Sequence, residues 1–117
     1  RINALAPTAA TRMTEGLIPA EALALLTPET VTPAVLYMVS EDAPTRTIIA
    51  AGAGSFAVAR IVESAGVWLP PEQQTPEGIA ANWEAISSTV GENQPQAGFE
   101  QTVKMTGHAM AGLGLNK

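Results

Sequence analysis

Arg1-Ile2-Asn3-Ala4-Leu5-Ala6-Pro7-Thr8-Ala9-Ala10-Thr11-Arg12-Met13-Thr14 begins as a short apolar run, stops at a proline and passes into a small, Thr-rich turn. The run reads as a buried strand that delivers a loop. Ile2, Leu5 and the alanines are compact enough for a sheet covered on both faces. Pro7 lacks an N–H and can follow such a strand but not continue its ladder. Loops at the carboxyl ends of parallel strands are where open α/β sheets take their ligands, which makes this turn the first candidate site.

Outward from the turn, Pro19 to Leu26 reads as a short helix with proline at its first position. Thr27-Pro28-Glu29 offers a second start: a capping hydroxyl, a proline and an acid near the positive end of the helix dipole. Val31, Val35, Met38 and Val39 then share one helical face, and Ser40 to Pro44 is the stop. Pro33 lies early enough in that helix to cost little beyond one hydrogen bond. Arg46 to Ala51 is β-prone and runs into Gly52-Ala53-Gly54, so it reads as a second strand. Two strands joined by a helical segment of that length are expected to be parallel neighbours with a right-handed crossover.

Phe56 to Leu69 is open to two readings. Alternation of Phe56, Val58, Arg60 and Val62 favours extended chain with a turn at Ser64-Ala65-Gly66, and helix is the alternative. Pro70 to Gln74 is a linker. Thr75-Pro76-Glu77 repeats the cap-proline-acid start, with Ile79, Trp83, Ile86 and Val90 as its expected buried stripe. Trp83 and Phe99 are expected core anchors. Phe99, Val103 and Met110 suggest a last helix that fades into a Gly-rich tail. No internal repeat is visible.

Composition narrows the function classes. The 117 residues suit one domain with a modest core, and their first residue is Arg, as in a processed or excised product. Hydrophobic residues make up 46% and charged ones only 15%, so the surface is expected to be partly covered by something else. A net charge of -5 with no Lys/Arg cluster argues against nucleic acid, and no basic amphipathic stretch suggests a membrane surface. Without cysteine there are no disulfides, thiolate metal sites or thiol catalysis. No run reaches membrane-spanning length. Cytoplasm is the default location, with an organelle matrix such as the peroxisome as the alternative.

Five collinear pieces, Asn3 to Pro7, Thr11 to Glu15, Pro33 to Glu41, Gly52 to Gly54 and Thr75 to Trp83, together resemble the later part of short-chain dehydrogenases/reductases. The likeness is nearest to the (3R)-hydroxyacyl-CoA dehydrogenase units of multifunctional β-oxidation enzymes. It implies an α/β fold: the C-terminal fragment of a Rossmann-like, doubly wound parallel sheet over residues 1–69, followed by a helical C-terminal extension over residues 70–117. It implies NAD or NADP as cofactor, with Pro7, Thr8, Ala10 and Thr11 at the nicotinamide end and Met13 and Leu17 towards substrate. Thr8 stands where most members carry Gly, and Thr11 matches the family threonine only if the loop is one residue shorter. Capping hydroxyls in a strand-to-helix turn are the alternative reading of Thr11 and Thr14.

The family's Gly-rich turn and its Tyr-x-x-x-Lys pair precede these pieces in the family order. Tyr37 is the only tyrosine and Glu41 stands four positions on, so no catalytic residue is assigned within these 117. The first strand should then expose one edge to a second polypeptide that carries the missing half, or to another copy of itself as a non-enzymatic assembly module. A third reading takes Gly52 to Ala57 as the G-x-G-x-x-G/A fingerprint of a small dinucleotide-binding unit, with Glu72 as its ribose acid. That reading requires a helix to begin at Ser55. His108 is a lone histidine without a ligand-spaced partner, expected to be solvated, and no metal site is assigned. Ser55 lacks the second Gly of a nucleophile elbow.

Overall fold

The computed structural model describes residues 1–115. They form two compact units divided between Arg60 and Ile61, before the Pro70-Pro71 linker expected from sequence. Residues just after the division bond within the second unit: Glu63 pairs with Asn93 as an isolated antiparallel bridge, and the Ser64 hydroxyl donates to the Ile86 carbonyl at 2.6 Å.

In the first unit, β1 (Ala4–Pro7) lies parallel to β2 (Ile48–Gly52), with Leu5 opposite Ile49 and Pro7 opposite Ala51. This is the parallel pair the apolar runs predict. Asn3 fixes its start: its amide nitrogen donates to the Pro44 carbonyl at 2.8 Å, and its carbonyl oxygen accepts from the Thr47 N–H at 3.0 Å. The connection contains α1 (Ala20–Leu23), a 3-10 turn at Pro28–Thr30, and α2 (Thr32–Met38). Pro28 and Pro33 each occupy a first-turn position, where the missing N–H costs nothing.

α2 buries a different stripe from the one expected. Val31 and Ala34 pack on Ile49 and Ala51, with Leu5 and Met38 at the margin of that cluster. Val35 and Val39 face outward instead. The spacing Val31, Ala34, Met38 is also a helical face, and the close approach that alanine permits puts it against the alanine-rich β2.

A third strand, β3 (Ser55–Ala59), corrects the expectation of two strands and of a wholly parallel sheet: it pairs antiparallel with β2, giving the order β1-β2-β3. The extended reading of Phe56 and Val58 holds as far as Ala59. The turn between them has Ala53 at φ 51° and Gly54 at φ 75°, the two left-handed residues that a two-residue I′ hairpin requires. Ser55 therefore starts a strand and not a helix. The dinucleotide-fingerprint reading loses its physical basis, because no helix N-terminus faces the glycines.

The second unit contains a 3-10 turn at Pro71–Gln73, α3 (Pro76–Ala81), α4 (Trp83–Ile86) and α5 (Gly98–Gly112). Thr75 caps α3 as expected, its hydroxyl accepting from the Gly78 N–H at 2.9 Å. The single helix expected after Thr75 is broken at Asn82, whose side-chain amide donates to the Gly78 carbonyl at 2.8 Å. Such side-chain bonding competes with helix continuation. The stripe is not buried within this chain: Trp83 is 60% and Val90 81% exposed, and Phe99 is 73% exposed. The apolar periodicity is real, but the described residues do not cover it.

Glu63 ties together a partly exposed polar cluster of the unit. It is paired with the Lys104 ammonium and accepts from the Gln101 amide, while Lys104 also donates to the Ser64 carbonyl at 2.8 Å and the Asn93 side chain at 3.2 Å. The hydrogen bond from Lys104, then that from Gln101, holds the Glu63 carboxyl below its ordinary value of 4.5; desolvation opposes them and loses. A depressed carboxyl pKa stabilises the fold above the ordinary value, and that stabilisation disappears as pH falls through the folded value. The urea midpoint of the second unit should therefore drop between neutral pH and pH values below about 4. Glu63→Gln should shrink that drop; an equal drop in the variant would assign the acid sensitivity to other groups.

Candidate functional site

The loop at the carboxyl end of β1 is built by its own threonines. The Thr8 N–H donates to the Ala51 carbonyl at 2.8 Å, which extends the β1–β2 ladder by one bond, and the Ala10 N–H donates to the Leu26 carbonyl at 2.6 Å. Beyond these anchors the Thr14 hydroxyl accepts from the Thr11 N–H at 2.9 Å and lies 3.0 Å from the Thr11 and 3.1 Å from the Ala9 carbonyls. The Thr11 hydroxyl accepts from the Met13 N–H at 3.2 Å. Both threonines thus perform the capping work of the alternative reading, which leaves the Thr11 O–H free to donate outward.

Every residue singled out in this loop lies on that one short segment. Pro7, Thr8 and Thr11 are exposed and Ala10 is half-buried. Met13 and Leu17 project from the following turns and are 86% and 80% exposed. Gly52, at the carboxyl end of β2, closes the other side: a Cβ built there would sit 3.0 Å from the Thr8 carbonyl oxygen and 3.2 Å from the Thr8 Cβ. In the sequence alone Gly52 reads as a strand exit or as part of a fingerprint. Its role as the floor of the loop comes only from the parallel register.

A nicotinamide carboxamide needs both acceptors and donors, and the loop can supply both. Among the described residues the Ala9 N–H takes no hydrogen bond, and the exposed Thr8 and Thr11 hydroxyls face no fixed acceptor across the loop. The donor and acceptor set therefore fits such a group. It contains no acid, base or nucleophile placed for chemistry, and no cluster of His, Cys, Asp or Glu suited to a metal occurs among the described residues.

Two further features adjoin the sheet. The hydrophobic side of β3 and α2 encloses an open apolar hollow of about 440 Å³ lined by Pro33, Ala34, Tyr37, Ile49, Phe56 and Val58. Among the described residues β1 and β3 each pair on one side only. His108 is half-buried, not solvated as expected, and lines hollows of the second unit. No helix among the described residues is long and apolar enough to cross a membrane.

No family model matches the sequence. Individual relatives do. The chain is 36% identical over 99 residues to peroxisomal multifunctional enzyme A of Dictyostelium discoideum, covering 84% of this chain and 22% of that protein. It is 39% identical over 94 residues to a short-chain type dehydrogenase/reductase of Mycobacterium tuberculosis, covering 76% of this chain and 31% of that one. With the peroxisomal hydratase-dehydrogenase-epimerase of Saccharomyces cerevisiae the identity is 37% over 89 residues, or 74% of this chain and 10% of the other. The chain spans less than a third of the length of each. Full-length peroxisomal multifunctional enzyme type 2 from Drosophila melanogaster has the same fold over 95% of this chain and 20% of its own, with a TM-score of 0.74 at 22% identity. This chain is a relative of part of the short-chain dehydrogenases/reductases, of the kind found in peroxisomal multifunctional enzymes.

Proposed function

We propose that this chain, as a relative of that dehydrogenase family, supplies the nicotinamide-facing loop and the substrate-covering helices of an NAD(P)-dependent dehydrogenase for 3-hydroxyacyl-CoA-type alcohols. The observation that carries the reading is the anchored loop at the carboxyl end of β1. Its Ala9 N–H and the hydroxyls of Thr8 and Thr11 are left to a ligand, where open α/β sheets bind theirs. When bound, the cofactor supplies hydride transfer. Pro7, Thr8, Ala10 and Thr11 hold its carboxamide end, and Met13 and Leu17 offer apolar surface to an acyl chain. The proton that accompanies the hydride is handled by groups outside these 117 residues, since Tyr37 has no lysine four positions on. The peroxisomal names of several relatives support an organelle matrix over the cytoplasm as the working compartment.

The free edges of β1 and β3 favour a second reading, a non-enzymatic module that pairs with copies of itself. Native mass spectrometry followed by a denatured run separates the two. The dehydrogenase reading expects a complex with a polypeptide bearing the Gly-rich turn and a Tyr-x-x-x-Lys pair. That complex should oxidise a 3-hydroxyacyl-CoA with NAD or NADP, while the chain alone does not. A homo-oligomer that never acquires such a partner and binds no dinucleotide would overturn it in favour of self-assembly. Turnover by the pure chain would refute the claim that its catalytic groups lie elsewhere.

A further inference from the structure

β3 (Ser55–Ala59) is an outer strand of the first unit's sheet, and its open edge is regular. It pairs with β2 residue for residue, from Gly52 opposite Ser55 to Ile48 opposite Ala59, without a bulge, and every one of its residues is exposed. In a two-residue hairpin the pair flanking the turn, here Gly52 and Ser55, exchanges main-chain hydrogen bonds. By alternation Ala57 and Ala59 also point their N–H and C=O groups at β2. The Ala51 carbonyl obeys the same phase, because it faces away from β3 and accepts from the Thr8 N–H. The N–H and C=O groups of Phe56 and Val58 are thereby aimed at the open edge, where no hydrogen bond reaches them among the described residues. Natural sheet edges are blunted by charge, proline or a bulge, and Ser55-Phe56-Ala57-Val58-Ala59 carries none of these.

The same two residues carry an uncovered apolar face. Phe56 lies opposite Ala51 and Val58 opposite Ile49, and facing residues of an antiparallel pair share one side of the sheet. Ala51 and Ile49 are buried in the cluster with α2, whereas Phe56 and Val58 are about half exposed. The open hollow of about 440 Å³ between Pro33, Tyr37 and β3 is this uncovered margin. An occupant has to satisfy the main-chain edge and extend the apolar floor at the same time, which a strand does and a helix does not.

We propose that the occupant is a second copy of this chain, whose β3 pairs antiparallel with the first about a two-fold axis through Ala57 and joins the two sheets into one. Only this register overlaps the whole of both strands and keeps their edges in phase. Phe56 then faces Val58 of the second copy, the two exchange their main-chain hydrogen bonds, and the axis repeats the pair. Aromatic and β-branched side chains are a favourable cross-strand match, and here each covers a counterpart that is half exposed in the single chain. No charged side chain lies within the paired segment, and Arg60 falls opposite Gly54 of the second copy. Residues 1–60 carry four arginines against five acidic residues, so two copies meet without strong repulsion. Pairing through β3 narrows the self-pairing reading above, on which it rests, to one edge, and it leaves β1 and its loop free for a dehydrogenase half.

The test uses the full chain, which has no cysteine of its own, so that one introduced thiol reports the register. Facing residues of the non-hydrogen-bonded kind have Cα atoms about 4.5 Å apart, within disulfide range. Ala57→Cys should therefore form a covalent dimer in a glutathione redox buffer. Ser55→Cys, whose copies would sit about 14 Å apart along the strands, should not. By sedimentation equilibrium the unmodified chain should dimerise reversibly. Val58→Lys, at a half-exposed position, should weaken the dimer at least about tenfold by placing an unpaired ammonium on the apolar face. A chain that stays monomeric at millimolar concentration would overturn both the proposal and the self-pairing reading. A dimer that survives Val58→Lys, or that cross-links equally through Ser55→Cys and Ala57→Cys, would overturn the pairing through β3 alone and assign self-association to another edge.

Discussion

Gly78→Ala is expected to destabilise the second unit by about 2 kcal/mol, against the direction that helix propensity gives. Gly78 lies inside α3 (Pro76–Ala81), where alanine gains about 1 kcal/mol over glycine. The opposing effect is steric. A Cβ at this position would overlap the Gln73 carbonyl oxygen and lie 2.7 Å from its carbon, and these are backbone atoms that no rotamer change can move aside. Overpacking of this kind costs about 3 kcal/mol where the main chain itself has to shift. The shift would separate α3 from the preceding 3-10 turn. It would also disturb two hydrogen bonds, the Thr75 cap on the Gly78 N–H and the Asn82 side chain on its carbonyl. Gly107→Ala, in the middle of α5 with nothing near the added carbon, is the matched control and should stabilise by about 1 kcal/mol. Urea unfolding followed by Trp fluorescence measures both. If the two substitutions shifted stability in the same direction, the close approach of Gln73 to Gly78 would not exist in solution.

Local punctuation carried much of the legible structure. Pro7, Pro19, Pro28, Pro33 and Pro76 each sit at a strand end or a helix start, because a residue without an N–H has few other places to go. The parallel pairing of β1 with β2 followed from two short apolar runs separated by helix starts. The Gly52-Ala53-Gly54 exit was ambiguous because glycine serves a phosphate loop and a I′ hairpin equally well. The deciding signal was the alternation of Phe56 and Val58 downstream, which belongs to a strand and not to a helix. The helix from Thr75 is shorter than its apolar periodicity suggests because the Asn82 side chain bonds back to the Gly78 carbonyl. Trp83, Val90 and Phe99 depart from their expected burial for a deeper reason. Periodicity reports which side chains favour cover, and says nothing of whether the same chain provides it. The cluster of Glu63, Asn93, Gln101 and Lys104 gave no sequence signal, since isolated polar residues far apart in the chain have no shared spacing.

In the candidate loop, the threonines were visible in the sequence while their division of labour was not, and that division makes Gly52→Val the second large effect. Valine is the better strand former by about 1 kcal/mol. At Gly52 it would have to displace Thr8, whose carbonyl oxygen lies 3.0 Å and Cβ 3.2 Å from the position of the new Cβ, with a Leu26 methyl at 3.5 Å on the remaining side. Thr8 and Ala10 are the loop's two anchors, through the Ala51 and Leu26 carbonyls, so the atoms that must yield are those that hold the loop to the sheet. The expected result is a loss of about 2 kcal/mol in the first unit, centred on the loop. Hydrogen exchange reads it directly: the Thr8 and Ala10 amides should lose protection in Gly52→Val, while the Ala4 amide, bonded to the Thr47 carbonyl at the other end of β1, should keep it. Gly52→Ala should show the same pattern at smaller amplitude, because only the Cβ has to be accommodated. On the proposed function, the valine variant in a complete dehydrogenase complex should weaken dinucleotide binding, because the Thr8 and Ala10 anchors position the Ala9 N–H and the Thr8 and Thr11 hydroxyls proposed to meet the carboxamide. Uniform loss of protection along all of β1 would mean that Gly52 is a general packing position. Protection retained at Thr8 would mean that the sheet yields instead of the loop, and in either case Gly52 would not be the position that sets the loop's anchoring.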